Sequence, residues 1–416
     1  MGARVYFTGF RCVGCSASYV GNQDLLLCPA CESLLDAEYD YGGLGRDLDR
    51  DRLCTRPNDL WRWAEFLPVV DPDRIVTLGE GGSPLLRSAR LAQRFGVREV
   101  WLKSDATSSP TGSLKDRSIP ICATKALEFG YRVLSCDSTG NKASSTAAYA
   151  ARAGLQSVVF CPHDTPAPKV AQALFFGAHL VRVRGHYSEI NAMYRRLIHS
   201  GCVKWYDCGT DNPYRYEGKK TYAYEIAQAL HWESPDWVLQ PAAGGMSIVK
   251  AWKGFNELRQ LGWIDRLPRM AGVQASACAP IVAAWEGGLP RVPGVEKRPT
   301  IASAIAVSNP GALGNATLES LRASNGAAVG VTDPEILQAT RFLAEEGVFV
   351  EPSGAVTIAA LPKLVQRGDV GPRDRVVCVL TGSGFKDFER IQEMVKIPDQ
   401  IIRDYAEMEA LAAQLG

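Results

Sequence analysis

Two cysteine pairs near the start, Cys12-Val-Gly-Cys15 and Cys28-Pro-Ala-Cys31, have spacing that points to chemistry. Each C-x2-C suits a tight turn that aims two thiolates at one point. Two such turns complete a tetrahedral sulfur site suited to zinc. Four thiolates leave no open coordination position, so the expected role of the metal is structural. The alternative, a redox pair, needs a thioredoxin-like βαβ setting that the flanking sequence lacks. A ribbon of about 35–40 residues, with strand-like pieces expected at 4–8 and 24–27, is too small to build its own core without such a staple.

Four loops rich in glycine and hydroxyl residues carry the other candidates. They are Ser109-Pro-Thr-Gly-Ser-Leu-Lys-Asp-Arg117, Asp137-Ser-Thr-Gly-Asn-Lys142, Gln240-Pro-Ala-Ala-Gly-Gly-Met-Ser247 and Leu380-Thr-Gly-Ser-Gly-Phe-Lys-Asp387. In the third, Ala243, Gly244, Gly245, Met246 and Ser247 precede a helical pattern. Consecutive backbone N–H groups beside a positive helix end make a phosphate cradle. Neither a G-x4-G-K-[ST] nucleotide loop nor a dinucleotide G-x-G-x-x-G after a strand is present. In the first loop, Lys115 sits before a helix with Arg117 close by. A helix dipole and a neighbouring cation both favour the neutral amine, the form that attacks aldehydes. A neutral-prone lysine, a phosphate cradle and a Ser-Thr-Gly-Asn turn together are the parts needed to hold pyridoxal phosphate.

Such loops must be carried by strands and helices, and the sequence supplies them in alternation. Strand-like runs fall at 99–103, 132–136, 158–161, 179–183, 203–207, 237–240, 270–274, 348–350 and 375–380. Helical patterns lie at 147–153, 169–176, 188–200, 219–230, 248–261, 334–346 and 355–366. This alternation predicts an α/β fold of two lobes, with parallel sheets covered by helices, plus an amino-terminal zinc ribbon. In such sheets ligands gather beyond the carboxyl ends of the strands, where these loops would lie. The expected division is a ribbon at 1–45, a large lobe from 46–104 and 205–396, a smaller mobile lobe at 105–204, and a terminal helix at 397–416.

SPTGSLKDRS, STGNKASSTAAYAARAG, RYEGKKTYAYEI, AWKGF, VFVEPSGAVTIAAL and LTGSGFKD, in this order, resemble the threonine synthase family of pyridoxal-phosphate enzymes, of the tryptophan-synthase-β fold type (fold type II). The resemblance spans about residues 75–395 and implies specific roles. Lys115 would carry the cofactor as a Schiff base and then serve as the base. Asn141 would hydrogen-bond the cofactor's 3-oxygen. Ser138, Thr139 and Asn141 would grip the substrate carboxylate, and the 243–247 loop would hold the cofactor phosphate. Thr381 would be the neutral partner of the pyridine nitrogen. The family also implies a homodimer and a smaller lobe that closes over the substrate.

Departures fall where substrate specificity is expected. The family commonly has G-N-A-G-N where this chain has Ala243-Gly-Gly-Met-Ser247, and a small hydroxyl residue where it has Lys142. Asn-Ser often stands where this chain has Gly209-Thr210, just before Asn212-Pro-Tyr-Arg215. Arg215 is retained and Lys142 adds a positive charge, so an anionic amino-acid substrate is expected, with Lys142, Thr210 and Arg215 near its leaving group. Three readings follow. The first is threonine synthesis from O-phosphohomoserine. The second is β- or γ-replacement on another activated amino acid such as O-phosphoserine. The third is a threonine or serine ammonia-lyase or a non-catalytic binding protein.

The overall composition excludes other classes. The chain has 416 residues, 46% of them apolar and 22% charged, an ordinary globular make-up. Its 46 Lys plus Arg against 45 Asp plus Glu leave a net charge of +1, with no basic field for nucleic acid or an anionic membrane. No secretory h-region or membrane-length apolar run is visible, so a cytoplasmic location is expected. There the 12 cysteines should be thiols or metal ligands.

Overall fold

The computed structural model describes residues 4–138, 140–185, 187–399 and 401–415. The chain opens with three antiparallel strands, β1 (Phe7–Cys12), β2 (Ser18–Val20) and β3 (Leu35–Tyr39), in the order β2-β1-β3. It then lays down β4 (Leu85–Ser88) and β5 (Glu99–Ser104) and leaves for a separate sheet. That second sheet holds β6 (Val133–Asp137), β7 (Gln156–Pro162), β8 (His179–Val183) and β9 (Tyr206–Asp207). The chain returns for β10 (Trp237–Pro241), β11 (Arg269–Ala275), β12 (Ala327–Val331) and β13 (Arg375–Leu380). The large sheet runs β12-β11-β10-β13-β5-β4, parallel except for β4 at the edge; the small one runs β8-β7-β6-β9, all parallel.

The expected two-lobed α/β architecture is therefore present. β10 leads outward through β11 to β12, whereas β13 and β5 lie on its other side. The order reverses between β10 and β13, and a crevice opens at such a switch point beyond the strand ends. The 240–247 and 380–387 loops leave from these two strands.

Three local readings need correction. The run at 203–207 forms only the two-residue β9, which pairs with β6, so the small sheet extends beyond the expected boundary at 204. The run at 348–350 makes a single bridge, Val350 to Ser383, and no strand. The expected ribbon strands at 4–8 and 24–27 are displaced to β1, β2 and β3. In the 24–27 stretch Leu25 packs against the large core and Asp24 accepts from the Tyr131 hydroxyl at 2.7 Å, while the Tyr214 hydroxyl donates to the preceding Gln23 carbonyl at 2.6 Å.

The ribbon shares the core of the large lobe. Phe10 is fully buried and meets the Tyr214 ring edge-on at 4.8 Å, and Phe7 lies 5.8 Å from the same ring. Beneath these rings a buried ion network crosses the junction. The Tyr39 hydroxyl donates to Glu217 at 3.0 Å, Lys250 bridges Asp36 and Glu217, and Lys220 reaches Glu257 at 2.8 Å. Glu217 is held well below the usual carboxylate range: burial opposes ionisation, and Lys250, Lys253 and Lys220 outweigh it. The short helix Tyr214–Glu217 is thus fixed from behind by the ribbon.

Candidate active site

Lys115 lies in the 3-10 turn Leu114–Arg117, capped by Ser113, and this turn is stitched to the loop after β13. Leu114 N–H donates to the Thr381 carbonyl at 2.9 Å, and Ser383 N–H to Gly112 O at 2.9 Å. Gly112 has φ +69°, in the left-handed region, and a Cβ there would press on Ser383 at 3.2 Å. Asp116 ties the same turn to the helix Asn141–Arg152. It accepts from Thr111 N–H at 2.9 Å and from the Ser145 hydroxyl at 2.8 Å. Burial nonetheless raises its carboxyl to about 6.

The Lys115 amine is lowered to about 8, by burial first and then by Arg215, with Lys142 adding to the field. Glu351 and Asp116 oppose the shift. The expected neutral-prone lysine is present, but the expected cause is wrong in one part. Arg117 points away into a sealed pocket, where its guanidinium binds Asp105 at 2.8 Å and Glu225 at 2.5 Å. Its charge is spent there, and the neighbouring cation that acts on Lys115 is Arg215, 100 residues further along the chain.

Asn141 opens its helix beside this turn, with its side-chain N–H group 3.3 Å from Glu351 Oε1. Glu351 went unassigned from the sequence. It precedes the helix Pro352–Gln366, is 4% exposed, and packs on Gly382 so closely that a Cβ there would lie 2.5 Å from Oε1. Burial raises its carboxyl despite the Asn141 hydrogen bond. The available signal was an acidic residue inside the apolar run VFVEPSGAV, followed at once by a helix-starting proline.

The remaining predicted residues divide as follows. Ser138 is buried, and its hydroxyl accepts from Gly140 N–H at 3.2 Å. Thr139 lies outside the described residues. Lys142 is buried and its amine binds Asp137 at 2.7 Å, so the extra cation expected toward the substrate is answered by a carboxylate five residues earlier. Thr210 presents its backbone carbonyl to the Tyr216 hydroxyl at 2.7 Å. Arg215 is buried, donates from Nη1 to Gly209 O at 2.6 Å, and leaves Nε without a partner among the described residues. Thr381 is buried at the end of β13.

Across the crevice, the loop after β10 turns at Gly245 (φ +83°) into the helix Met246–Gln260. A Cβ on Gly245 would lie 2.1 Å from Thr317 Oγ1, so the close approach requires glycine. Ala243, Gly244 and Met246 complete the turn. Gln240 Nε2 and Oε1 and Ser247 Oγ are buried there with no partner among the described residues. Two of these atoms, Gln240 Nε2 and the Ser247 hydroxyl, are donors near a helix amino end and fit a phosphate, which would accept their hydrogen bonds.

Residues 76–382 match the model of a family described as pyridoxal-phosphate dependent enzyme. The chain belongs to that family. Curated relatives include a threonine synthase of Methanocaldococcus jannaschii, 39% identical over 91% of this chain and 92% of that protein. A threonine synthase of Methanosarcina acetivorans is 39% identical over 93% of this chain and 94% of its own length. Both alignments run well outside the 76–382 span. Among solved structures, a threonine deaminase from T.th. has TM-score 0.60 and 26% identity, covering 72% of this chain and 92% of that one. Diaminopropionate ammonia lyase from Escherichia coli, with TM-score 0.65 and 17% identity over 80% of this chain and 95% of that one, shares the fold.

A second candidate centre belongs to this enzyme's ribbon. The sulfurs of Cys12, Cys15, Cys28 and Cys31 all lie within 4.8 Å of one another. Cys12 and Cys28 are buried and Cys15 and Cys31 exposed, an arrangement that four thiolates around a zinc ion would satisfy. Among the described residues, no helix is long and apolar enough to cross a membrane.

Proposed function

We propose that this enzyme is a threonine synthase that converts O-phosphohomoserine and water to threonine and phosphate. It would work as a cytoplasmic homodimer with structural zinc in the ribbon. The observation that carries the reading is the buried guanidinium of Arg215, whose Nε is orphaned beside Lys115. An anionic leaving group would pair with it. Relatives named threonine synthase at 39% identity over nine-tenths of the chain support the same reading.

Bound pyridoxal phosphate would supply an electron sink for the carbanion at the substrate Cα. The chain's residues do the rest. Lys115 would hold the cofactor and, once released from it, take the proton from Cα and return protons further along the side chain. Its lowered pKa suits a base near neutral pH. The 243–247 backbone with Ser247 would seat the cofactor phosphate, Asn141 its 3-oxygen and Thr381 its ring nitrogen. Ser138, Thr139 and Asn141 would bind the substrate carboxylate. Closure of the smaller lobe would exclude water from all but the hydrating position.

One observation favours a second reading, replacement on another phosphorylated amino acid. A Cβ on Gly209 would lie 2.5 Å from Asp207 Oδ1, and Lys142 is held by Asp137, so the leaving-group end is narrowed to Arg215 and Thr210. Assays of phosphate and threonine with O-phosphohomoserine, against O-phosphoserine plus sulfite, decide between them. Turnover of the second pair alone would refute threonine synthesis.

The ribbon gives a further expected result. Cys12→Ser or removal of zinc by a chelator should lower the melting temperature and raise KM for O-phosphohomoserine severalfold. The Phe10–Tyr214 contact and the Tyr39–Glu217 bond position the helix that bears Arg215. A zinc-depleted protein with unchanged melting and KM would refute that coupling.

A further inference from the structure

Two adjacent lysines in the 3-10 turn Gly218–Lys220 have opposite surroundings. Lys220 is ion-paired with Glu217 at 3.0 Å and Glu257 at 2.8 Å. Lys219 is 6% exposed, yet among the described residues it has no ion pair and no hydrogen-bond partner for its amine. Its neighbour is the Tyr216 ring, 5.4 Å from Nζ, and the Arg215 guanidinium lies 4.9 Å from the same ring. The turn is pressed against the Lys115 turn, because a Cβ on Gly218 would lie 1.7 Å from the Arg117 carbonyl oxygen. Lys219 and Arg215 thus flank one ring, and the charges of Lys115 and Arg215 both act on the Lys219 amine, which places it on the active-site side.

We propose that Lys219 binds a phosphoryl group, sharing the cationic seat with Arg215. Two buried cations, Lys219 and Arg215, neither of them ion-paired among the described residues, are costly when the seat is empty, and a phosphate monoester dianion removes that cost. Consistent with this, burial together with Lys115 and Arg215 holds the Lys219 amine well below its ordinary pKa. The cofactor cradle at 240–247 contains no cationic side chain of its own. The phosphoryl group has two sources, the 5′-phosphate of the cofactor and the leaving phosphate of the substrate. Only the second rests on the proposed reaction.

The test uses the full-length protein with Lys219→Met and Lys219→Gln, and Lys219→Arg as the charge-retaining control. The dissociation constant of the apoprotein for pyridoxal 5′-phosphate is measured by absorbance titration, with pyridoxal as the probe lacking the phosphate. KM and kcat are measured for O-phosphohomoserine. A loss of roughly tenfold or more in affinity for pyridoxal 5′-phosphate, with pyridoxal unaffected, assigns Lys219 to the cofactor phosphate. A similar rise in KM with cofactor affinity unchanged assigns it to the substrate, and Lys219→Arg should recover most of either loss. If both constants stay within about twofold of the parent, the proposal is overturned. Should O-phosphohomoserine prove not to be a substrate, the reaction reading fails alone. Binding of pyridoxal 5′-phosphate and of inorganic phosphate still tests Lys219. If the variants do not fold, acetylation of Lys219 in the parent protein is followed by peptide mass spectrometry. Protection by pyridoxal 5′-phosphate or inorganic phosphate supports the seat, and unchanged labelling overturns it.

Discussion

Lys115→Ala should lower phosphate release from O-phosphohomoserine by about 10³–10⁴-fold and abolish the visible absorbance of the lysine-bound cofactor. The loss is large because one amine performs two tasks, holding the cofactor and moving protons at the substrate Cα. Both tasks need an uncharged nitrogen, and the site favours it by burial and by Arg215. With the amine at about 8, roughly a tenth is neutral at pH 7, against ~0.04% for an ordinary lysine. The sign follows directly. Reloading of the apoprotein with pyridoxal phosphate should accelerate about tenfold from pH 7 to 9, with a midpoint near 8. An ordinary lysine would gain ~100-fold over the same interval with no plateau. Lys115→Ala should still bind the cofactor non-covalently, and a small exogenous amine should restore part of the rate. Parent-like absorbance in this variant would sink the assignment.

Features that depend on residues close together in the chain were legible in the sequence. The C-x2-C pairs bring four sulfurs together because each pair needs only a local turn. Gly244-Gly245 opens a helix because only glycine takes the φ of +83° required there. The Lys115 turn meets Thr381 through the Leu114–Thr381 bond, and Asn141 meets Glu351, which also acts on the Lys115 amine. What failed depended on side-chain direction or distant partners. Lys142 is ion-paired with Asp137 at 2.7 Å, a partner that the charge of Lys142 alone did not announce. β12 was overlooked because Ala327-Ala-Val-Gly-Val331 has few bulky β-formers; it is a strand because β11 pairs with it along its whole length. Lys219 was hidden for another reason. Sequence alone does not show which of two adjacent lysines has Glu217 and Glu257 at hand and which has none.

Arg117 is the sharpest case, and the second large effect rests on it. The sequence places it two residues after Lys115, where it was expected to help keep that amine neutral. In the structure its five N–H donors are directed to Asp105, Glu225, Thr221 and Ser83, all buried, with its guanidinium 4.2 Å over Tyr222. It bolts the end of β5 to the helix Thr221–Ala229 under the active-site turn. Arg117→Met should therefore cost about 3–5 kcal/mol of stability, because two buried carboxylates lose a partner that reaches both. Thermal or urea unfolding measures this. The acid limb carries a second signature. Burial alone would raise Glu225, but Arg117 and Lys103 hold it to about 2. A carboxylate depressed from ~4.3 contributes stability that is present above that value and lost as pH falls toward 2. In Arg117→Met the Glu225 pKa rises, so stability should fall less steeply between about pH 4 and 2 than in the parent. The reloading midpoint of Lys115 should stay near 8, since Arg215 rather than Arg117 sets it. A variant with parent-like stability whose reloading midpoint moved toward the ordinary lysine value would restore the expectation from sequence and overturn the structural one.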